Sequence, residues 1–138
     1  MFRIAPLSAA LLLAASAVSH AQTQPSTAPA AQAAPAIPIA SVAEVQKLLA
    51  QPQVVVLDVR TPEEFAAGHL SQAQNLDFRA PDFAARAAQL DPKKTYVLYC
   101  ASGNRSGKAA VVLKEKGVKK VMNAGAFKTL QESGIKTE

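Results

Sequence analysis

Residues 95–117 read TYVLYCASGNRSGKAAVVLKEKG, and this stretch predicts a buried strand, a turn and a helix, in that order. The strand, Thr95 to Tyr99, is continuously apolar or β-branched, as expected when both of its faces are covered. The turn leads into a helix from Ser106 to Lys116, and Gly117 ends that helix. A strand that leads through a turn into a helix is the repeating unit of parallel α/β sheets.

The same alternation extends to both sides of this stretch. Val54 to Leu57 form another continuous apolar run, and Val118 to Met122 form a further short strand. Three more helices are predicted from their starting signals, which are the capping box Ser41-Val-Ala-Glu44, the sequence Thr61-Pro62 with a stop at Gly68, and Pro81-Asp82 leading toward Leu90. Strands that alternate with helical crossovers predict an α/β domain with a central, mainly parallel sheet flanked by helices.

The first forty residues predict export and a tether. Residues 1–21 carry one positive charge, an apolar run of about 15 residues and small residues before Ala21, which is typical of a secretory signal peptide cleaved after Ala21. The alternative is a membrane anchor, but a spanning helix needs about 20 apolar residues, so we expect no stable anchor after cleavage. Residues 22–40 are uncharged and rich in Ala, Pro and Gln, which predicts a flexible linker. The folded domain is expected to cover residues 41–138.

Composition excludes several kinds of site. The 138 residues include one cysteine, so the chain has no internal disulfide and no centre built from several thiolates. With only two histidines, we expect neither a metal nor a cofactor. The formal net charge is +5, and lysines cluster between positions 114 and 120. Because aromatic residues are few and the charge is modest, these lysines predict a solvated face and no nucleic-acid partner.

The single cysteine lies where an α/β sheet is expected to bind its ligands. Such ligands bind at the carboxyl ends of the strands, and Cys100 directly follows the strand that ends at Tyr99. The turn from Ala101 to Arg105 can direct several backbone N–H groups inward, and the following helix adds its positive end. Such surroundings lower a thiol pKa from about 8.5 to between about 3.5 and 7.5. We therefore predict that Cys100 is a reactive thiolate rather than a structural cysteine.

Two motifs resemble signatures of the rhodanese family. The stretch Leu57-Asp-Val-Arg-Thr-Pro-Glu-Glu-Phe65, followed by Gly68-His-Leu70 and Asn75, resembles the N-terminal signature, and Cys100-Ala-Ser-Gly-Asn-Arg-Ser-Gly107 resembles the active-site loop. The resemblance covers nearly all of residues 41–134 and implies a three-layer domain. This chain departs from the family between Asn123 and Phe127, since many members carry Gly-Gly and a nearby tryptophan there and this chain has no tryptophan.

The resemblance implies a thiosulfate sulfurtransferase. The Cys100 thiolate would take the outer sulfur of thiosulfate as a persulfide, release sulfite, and pass the sulfur to cyanide or to a thiol. The donor and the persulfide would be bound by the loop residues Ala101, Ser102, Gly103, Asn104, Arg105 and Ser106. Asp58 and Arg60, at the end of a predicted strand, are expected to support the site structurally, with Arg60 able to pair with Glu64 and Asp58 a candidate for orienting the active-site loop. Similarity to exported single-domain members implies a periplasmic location.

Two other functions remain open. A module that binds or carries a persulfide for a partner protein, without turnover, would contain the same loop. Phosphatases and arsenate reductases of the rhodanese fold carry a loop one residue longer, by resemblance, whereas four residues separate Cys100 from Arg105 here. The shorter loop favours a bound sulfur atom over an oxyanion ester.

Three further polar residues are placed outside the catalytic set. His69 is predicted to be a satisfied, partly buried hydrogen-bonding residue, because attack by an ionised thiol requires no base. Arg79 and Arg86 flank a predicted helix and are candidates for the mouth of the pocket.

Overall fold

The computed structural model describes residues 35–138, so the predicted signal peptide and residues 22–34 of the predicted linker lie outside it. The strands are β1 (Val54–Asp58), β2 (Gln74–Asn75), β3 (Thr95–Cys100) and β4 (Lys120–Ala126). The helices are α1 (Val42–Leu49), α2 (Pro62–Ala66), α3 (Phe83–Ala87), α4 (Asn104–Glu115) and α5 (Phe127–Glu132). The four strands form one sheet in the order β2-β1-β3-β4, and each neighbouring pair is parallel.

Helices cover both faces of the sheet, which confirms the predicted α/β architecture. One face packs against α3 and α4 through buried residues that include Leu98, Phe83 and Leu113. The other face packs against α1 and α5 through Val97, Val45 and Leu130, among others. Neighbouring residues of β3 point to opposite faces, and both faces are covered, so the whole strand is apolar. Within residues 35–138, no helix combines the length and apolar character needed to cross a membrane.

The helix α4 begins two residues earlier than the sequence predicted. The expected start was Ser106, but Asn104 is already helical. The reason is that the Gly107 N–H bonds to the Gly103 carbonyl over 3.1 Å and closes the first turn. The first residues of α4 therefore continue directly from the loop that follows β3. The hydrogen bond between Gly107 and Gly103 connects the loop to the first turn of the helix.

The strand β4 begins later and extends further than predicted. Val118 is not part of it, because its N–H bonds to the Leu113 carbonyl over 3.1 Å and completes the end of α4 around the left-handed Gly117. The register of β4 against β3 shifts between Leu98 and Tyr99, which pair with Asn123 and Gly125 respectively. Ala124 is the extra residue of this bulge, and such bulges redirect the side chains beside them.

The domain extends further toward the N-terminus than the predicted boundary at Ser41. Residues 37–40, which we call the N-terminal strap, lie along β4 and the start of α4. The Ile37 N–H bonds to the Gly107 carbonyl over 3.1 Å, and the Ala40 N–H bonds to the Asn123 carbonyl over 2.8 Å. Ile39 forms a parallel bridge with Asn123. Composition alone predicted a linker here, because the groups that bind the strap are backbone atoms distant in sequence.

Candidate active site

Cys100 is the last residue of β3, at the edge of the sheet where the parallel strands end. On one side it pairs with Ala126 of β4. On the other side, the preceding residue Tyr99 pairs with Asp58 at the end of β1. Three residues separate Cys100 from the first residue of α4, Asn104. The structure thus places the thiol between the end of a central strand and the N-terminus of a helix, as the sequence predicted.

The loop between β3 and α4 turns a backbone donor toward the sulfur. The Gly103 N–H donates a hydrogen bond to Cys100 Sγ over 3.0 Å. Gly103 has a φ angle of 89°, a left-handed conformation that glycine adopts without steric cost. A Cβ atom at this position would lie 2.5 Å from Cδ1 of Ile39 and 3.1 Å from Cα of Gly125. Both the conformation and the lack of space therefore require glycine here.

The Cys100 thiol is fully buried, and its pKa lies below the ordinary value. Burial raises the pKa, because it disfavours the charged thiolate. Hydrogen bonding outweighs this effect: the Ser106 side chain and the backbone N–H groups of Ser106, Ser102 and Gly103 lower the pKa by more than burial raises it. The loop thus favours the thiolate, which is the nucleophilic form of cysteine.

Asn123 of β4 is a site residue that sequence reasoning missed. It is 1% exposed, and its amide bonds to the loop, to α4 and to the N-terminal strap. Its Nδ2 donates to the carbonyls of Gly103, over 3.1 Å, and Ile37, over 2.8 Å. Its Oδ1 accepts from the Ser106 hydroxyl, over 2.7 Å, and from the Gly125 N–H, over 3.0 Å. The one signal in the sequence that could have pointed to Asn123 was the departure from the family pattern between Asn123 and Phe127.

Arg105 is paired with a carboxylate from α2. Its Nη1 and Nη2 donate to the two carboxylate oxygens of Glu64 over 2.8 and 2.9 Å, a two-point geometry. Glu64 is placed by the predicted capping box, because it also accepts from the Thr61 N–H over 2.9 Å. The hydrogen bonds from Arg105 lower the pKa of Glu64 to about 2. The prediction that Glu64 pairs with Arg60 was therefore wrong, since the loop arginine occupies this carboxylate.

Asp58 and Arg60 form a separate buried pair. Arg60 Nη2 donates to Asp58 Oδ2 over 2.6 Å and to the Gly68 carbonyl over 2.7 Å. The guanidinium carbon lies 4.3 Å from the centre of the Phe127 ring. These contacts join the end of β1 to α5 and to the turn after α2. They do not reach the loop that follows Cys100, so the pair stabilises the surroundings of the site and not its sulfur.

Three of the six predicted binding residues form the exposed rim of the loop. Ala101, Ser102 and Asn104 are exposed, and the Asn104 N–H donates to Ser102 Oγ over 3.4 Å. Ser102 acts on the thiol through its backbone N–H. The structure therefore brings Gly103 and Ser106 to the sulfur, pairs Arg105 with Glu64, and leaves the side chains of the rim free of contact with Sγ.

None of the remaining polar candidates hydrogen-bonds to the sulfur. His69 Nδ1 bonds to the Phe65 carbonyl over 2.9 Å, and its ring stacks on the Phe65 ring with centroids 3.7 Å apart. This agrees with the predicted role of His69 as a hydrogen-bonding residue. Arg86 lines a cleft beside β2 that does not include Cys100, and Arg79 is exposed. Among residues 35–138, no group of three or more His, Cys, Asp or Glu side chains is arranged to hold a metal ion.

Comparison with known sequences identifies the family. The model of the Rhodanese-like domain family matches residues 41–130, which is well over half of the chain. This chain belongs to the rhodanese family. In this rhodanese domain, Cys100 begins the loop that the sequence motif predicted, and Arg105 and Ser106 follow at the end of that loop.

The relatives to which this rhodanese domain is similar include a protein named as a sulfurtransferase. Thiosulfate sulfurtransferase PspE of Escherichia coli is 32% identical over 80 residues, which cover 58% of this chain and 77% of that protein. An uncharacterized Synechocystis protein is 36% identical over 95 residues, covering 67% of this chain, but the chain spans only 51% of that relative. A rhodanese-related protein of Thermoplasma volcanium superimposes with a TM-score of 0.62 at 26% identity, covering 72% of this chain and 96% of that one.

Proposed function

We propose that this rhodanese domain is a thiosulfate sulfurtransferase that works through a persulfide on Cys100. The observation that carries the proposal is the surroundings of the sulfur: Sγ accepts the Gly103 N–H over 3.0 Å, with the Ser106 hydroxyl 3.5 Å away. The hydrogen bonds of the loop lower the thiol pKa despite burial, which increases the fraction of thiolate, the nucleophilic form of cysteine.

In the first half-reaction, the Cys100 thiolate attacks the outer sulfur of thiosulfate. A new S–S bond forms between Sγ and this sulfur, the S–S bond of thiosulfate breaks, and sulfite leaves with the electron pair. The enzyme keeps a negatively charged persulfide. The backbone N–H groups that stabilise the thiolate are available to stabilise this anion, and such preorganised donors are worth more in a buried site than in water.

In the second half-reaction, a nucleophile attacks the terminal sulfur of the persulfide. Cyanide would leave as thiocyanate, and a thiolate would leave as a new persulfide. The Sγ–S bond breaks, and its electron pair returns to Cys100 as the thiolate. Because the enzyme stores the sulfur covalently between the two steps, the kinetics are ping-pong.

Arg105 is the proposed contact for the anionic donor. Its guanidinium is 16% exposed at the side chain and already shares its charge with Glu64. Thiosulfate that approaches the loop therefore meets the ion pair of Arg105 and Glu64, whose charges offset each other, rather than an unpaired arginine. We expect Glu64 to weaken the binding of both thiosulfate and sulfite, which helps the product to leave.

The experiment that tests the function compares the wild type with Cys100→Ser, and uses Thr129→Ala, at an exposed position of α5, as the control. Thiocyanate production from thiosulfate and cyanide is expected for the wild type and the control, and not for Cys100→Ser. Intact mass after incubation with thiosulfate should rise by one sulfur atom in the same two proteins. Loading without repeated turnover would identify a persulfide carrier instead, and hydrolysis of an aryl phosphate by the wild type would identify a phosphatase.

We also propose that the chain is exported to the periplasm after cleavage behind Ala21. The proposal rests on the order of one basic residue, an apolar run and small residues in the first 21 positions. Expression in a Gram-negative host and intact-mass measurement of the periplasmic fraction test it. A mature chain that begins at Gln22 is expected, and retention of residues 1–21 on a cytoplasmic protein would contradict the proposal.

A further inference from the structure

The buried amide of Asn123 can adopt only one orientation. Its Nδ2 faces two carbonyl oxygens, of Gly103 and Ile37, and its Oδ1 faces the Gly125 N–H. A flipped amide would place the oxygen against both carbonyls and the NH₂ group against an N–H. Because every polar atom of this 1% exposed side chain is satisfied in the observed orientation, Oδ1 is fixed toward Ser106.

The orientation of Asn123 determines what Ser106 can offer to the sulfur. An amide oxygen carries no hydrogen, so in the 2.7 Å contact with Oδ1 the Ser106 hydroxyl must be the donor. A serine hydroxyl has a single hydrogen. The same oxygen lies 3.5 Å from Cys100 Sγ, a longer contact. The Ser106 hydroxyl can therefore donate its hydrogen to the sulfur only when it gives up the 2.7 Å hydrogen bond to Asn123 Oδ1.

We propose that Asn123 is a positioning residue that competes with the Cys100 sulfur for the single hydroxyl hydrogen of Ser106. The inference deepens the proposed function, since the sulfur concerned is the proposed nucleophile. While Asn123 holds the hydrogen, the Ser106 hydroxyl donates less to the thiol, and the backbone N–H groups of the loop supply the remaining hydrogen bonds. The Gly103 N–H remains the fixed donor, and Asn123 also positions this donor by holding the Gly103 carbonyl.

The test is a cycle of four full-length proteins: the wild type, Ser106→Ala, Asn123→Leu and the double variant. The thiol pKa is measured from the rate of alkylation by iodoacetamide as a function of pH. The chain has one cysteine, so the whole signal comes from Cys100. This readout does not depend on sulfur transfer, so the inference and the proposed function can fail separately. Thr129→Ala, which removes an exposed hydroxyl from α5, is the control.

Competition predicts that the effect of Ser106→Ala depends on residue 123. In the Asn123→Leu background the freed hydroxyl donates to the thiolate, so its removal should raise the thiol pKa by about one unit. In the wild-type background the same substitution should raise the pKa by less than half as much. Equal effects in both backgrounds would overturn the proposal.

If Asn123→Leu fails to fold, Ser106→Ala alone still tests the proposal. A rise of a full unit or more in the wild-type background would show that Ser106 already donates to the sulfur, and would overturn the competition. A shift no larger than that of Thr129→Ala would support it. Arg105, Glu64, Asp77, Asp58 and Arg60 are charged groups near this end of the sheet, and every variant retains them. Differences between the variants therefore report the hydroxyl and the amide rather than a changed charge.

Discussion

At Cys100, burial and hydrogen bonding act on the same thiol in opposite directions. Burial alone would leave a protonated and unreactive side chain, as in most buried cysteines. Backbone and side-chain donors reverse the outcome, because several of them converge on one atom and lower the thiol pKa. The lowered pKa therefore depends on the path of the loop backbone as well as on the Ser106 side chain. Residues that fix this path should affect the thiol even where they do not touch it.

Gly103→Ala is predicted to unfold more easily and to raise the thiol pKa. The added Cβ would meet Ile39 and the backbone of Gly125, and the φ angle of 89° disfavours any side chain. Together these should cost about 2 to 4 kcal/mol in urea unfolding. Gly117→Ala is the matched control, because its φ is 99° but its Cβ would meet nothing within 4 Å. The control should lose about 1 kcal/mol and keep the thiol pKa; equal losses in the two variants would count against the packing argument.

Arg105→Ala is predicted to raise the KM for thiosulfate by about tenfold. The later attack of cyanide on the persulfide should be nearly unchanged, because that step does not bind the dianion. Steady-state rates at varied thiosulfate, with cyanide saturating, measure the first effect. Arg86→Ala, an exposed arginine of α3, controls for loss of charge at a distance. An unchanged KM for thiosulfate in Arg105→Ala would remove the proposed role of this residue.

At the scale of elements, α2 is connected to the active-site loop through its first turn. The capping box at Thr61 holds Glu64, and Glu64 in turn holds Arg105. A local helix-starting signal thus positions a charge beside a loop 41 positions further along the chain. The buried pair of Asp58 and Arg60 performs a comparable task by connecting β1 to the ring of Phe127 on α5.

The pair of Glu64 and Arg105 predicts a defined pH dependence of stability. The folded-state pKa of Glu64 is about 2, below its ordinary value of 4.5. The stabilisation is therefore fully present above about pH 4.5 and is lost as pH falls toward 2. Glu64→Gln should lower the unfolding free energy at pH 7 by at most about 1 kcal/mol, since the carboxylate is partly exposed. Urea unfolding should show this difference shrinking below pH 4.5. Glu63→Gln, an exposed neighbour, should show no such convergence, and a constant difference for Glu64→Gln would contradict the ion pair.

The sequence predicted those parts of the fold whose signals are local. Neighbouring residues specify both capping boxes, the two long apolar strands and the loop after Cys100. The structure contains all of these features. The pairing of Arg105 with Glu64 and the contacts of Asn123 were missed, because they join residues that the fold alone brings together. The position of the cysteine at the end of a central strand could thus be predicted, whereas the groups that hold its loop could not.

At the scale of the whole molecule, the N-terminal strap lies at the boundary of the domain and also contacts the loop that follows Cys100. Ile39 lies over Gly103 and Gly125, the two glycines whose missing Cβ atoms leave room for it. Ile39 is 57% exposed, and the part of its side chain that is buried covers the loop. The strap therefore stabilises the active-site loop from outside, although it precedes the first helix and lies outside residues 41–130, which the family model matches.

Removing the strap should weaken the domain and disturb the thiol. We compare a chain that begins at Ser41 with a control that begins at Pro35. The shorter chain loses the backbone bonds of Ile37 and Ala40, one amide bond of Asn123 and the cover of Ile39. We expect a loss of about 2 to 4 kcal/mol in urea unfolding, together with a higher thiol pKa. If both chains unfold at the same urea concentration and alkylate with the same pH profile, the strap is not part of the folded unit. A loss of stability without a change in thiol pKa would mean that the strap supports β4 but does not hold the loop.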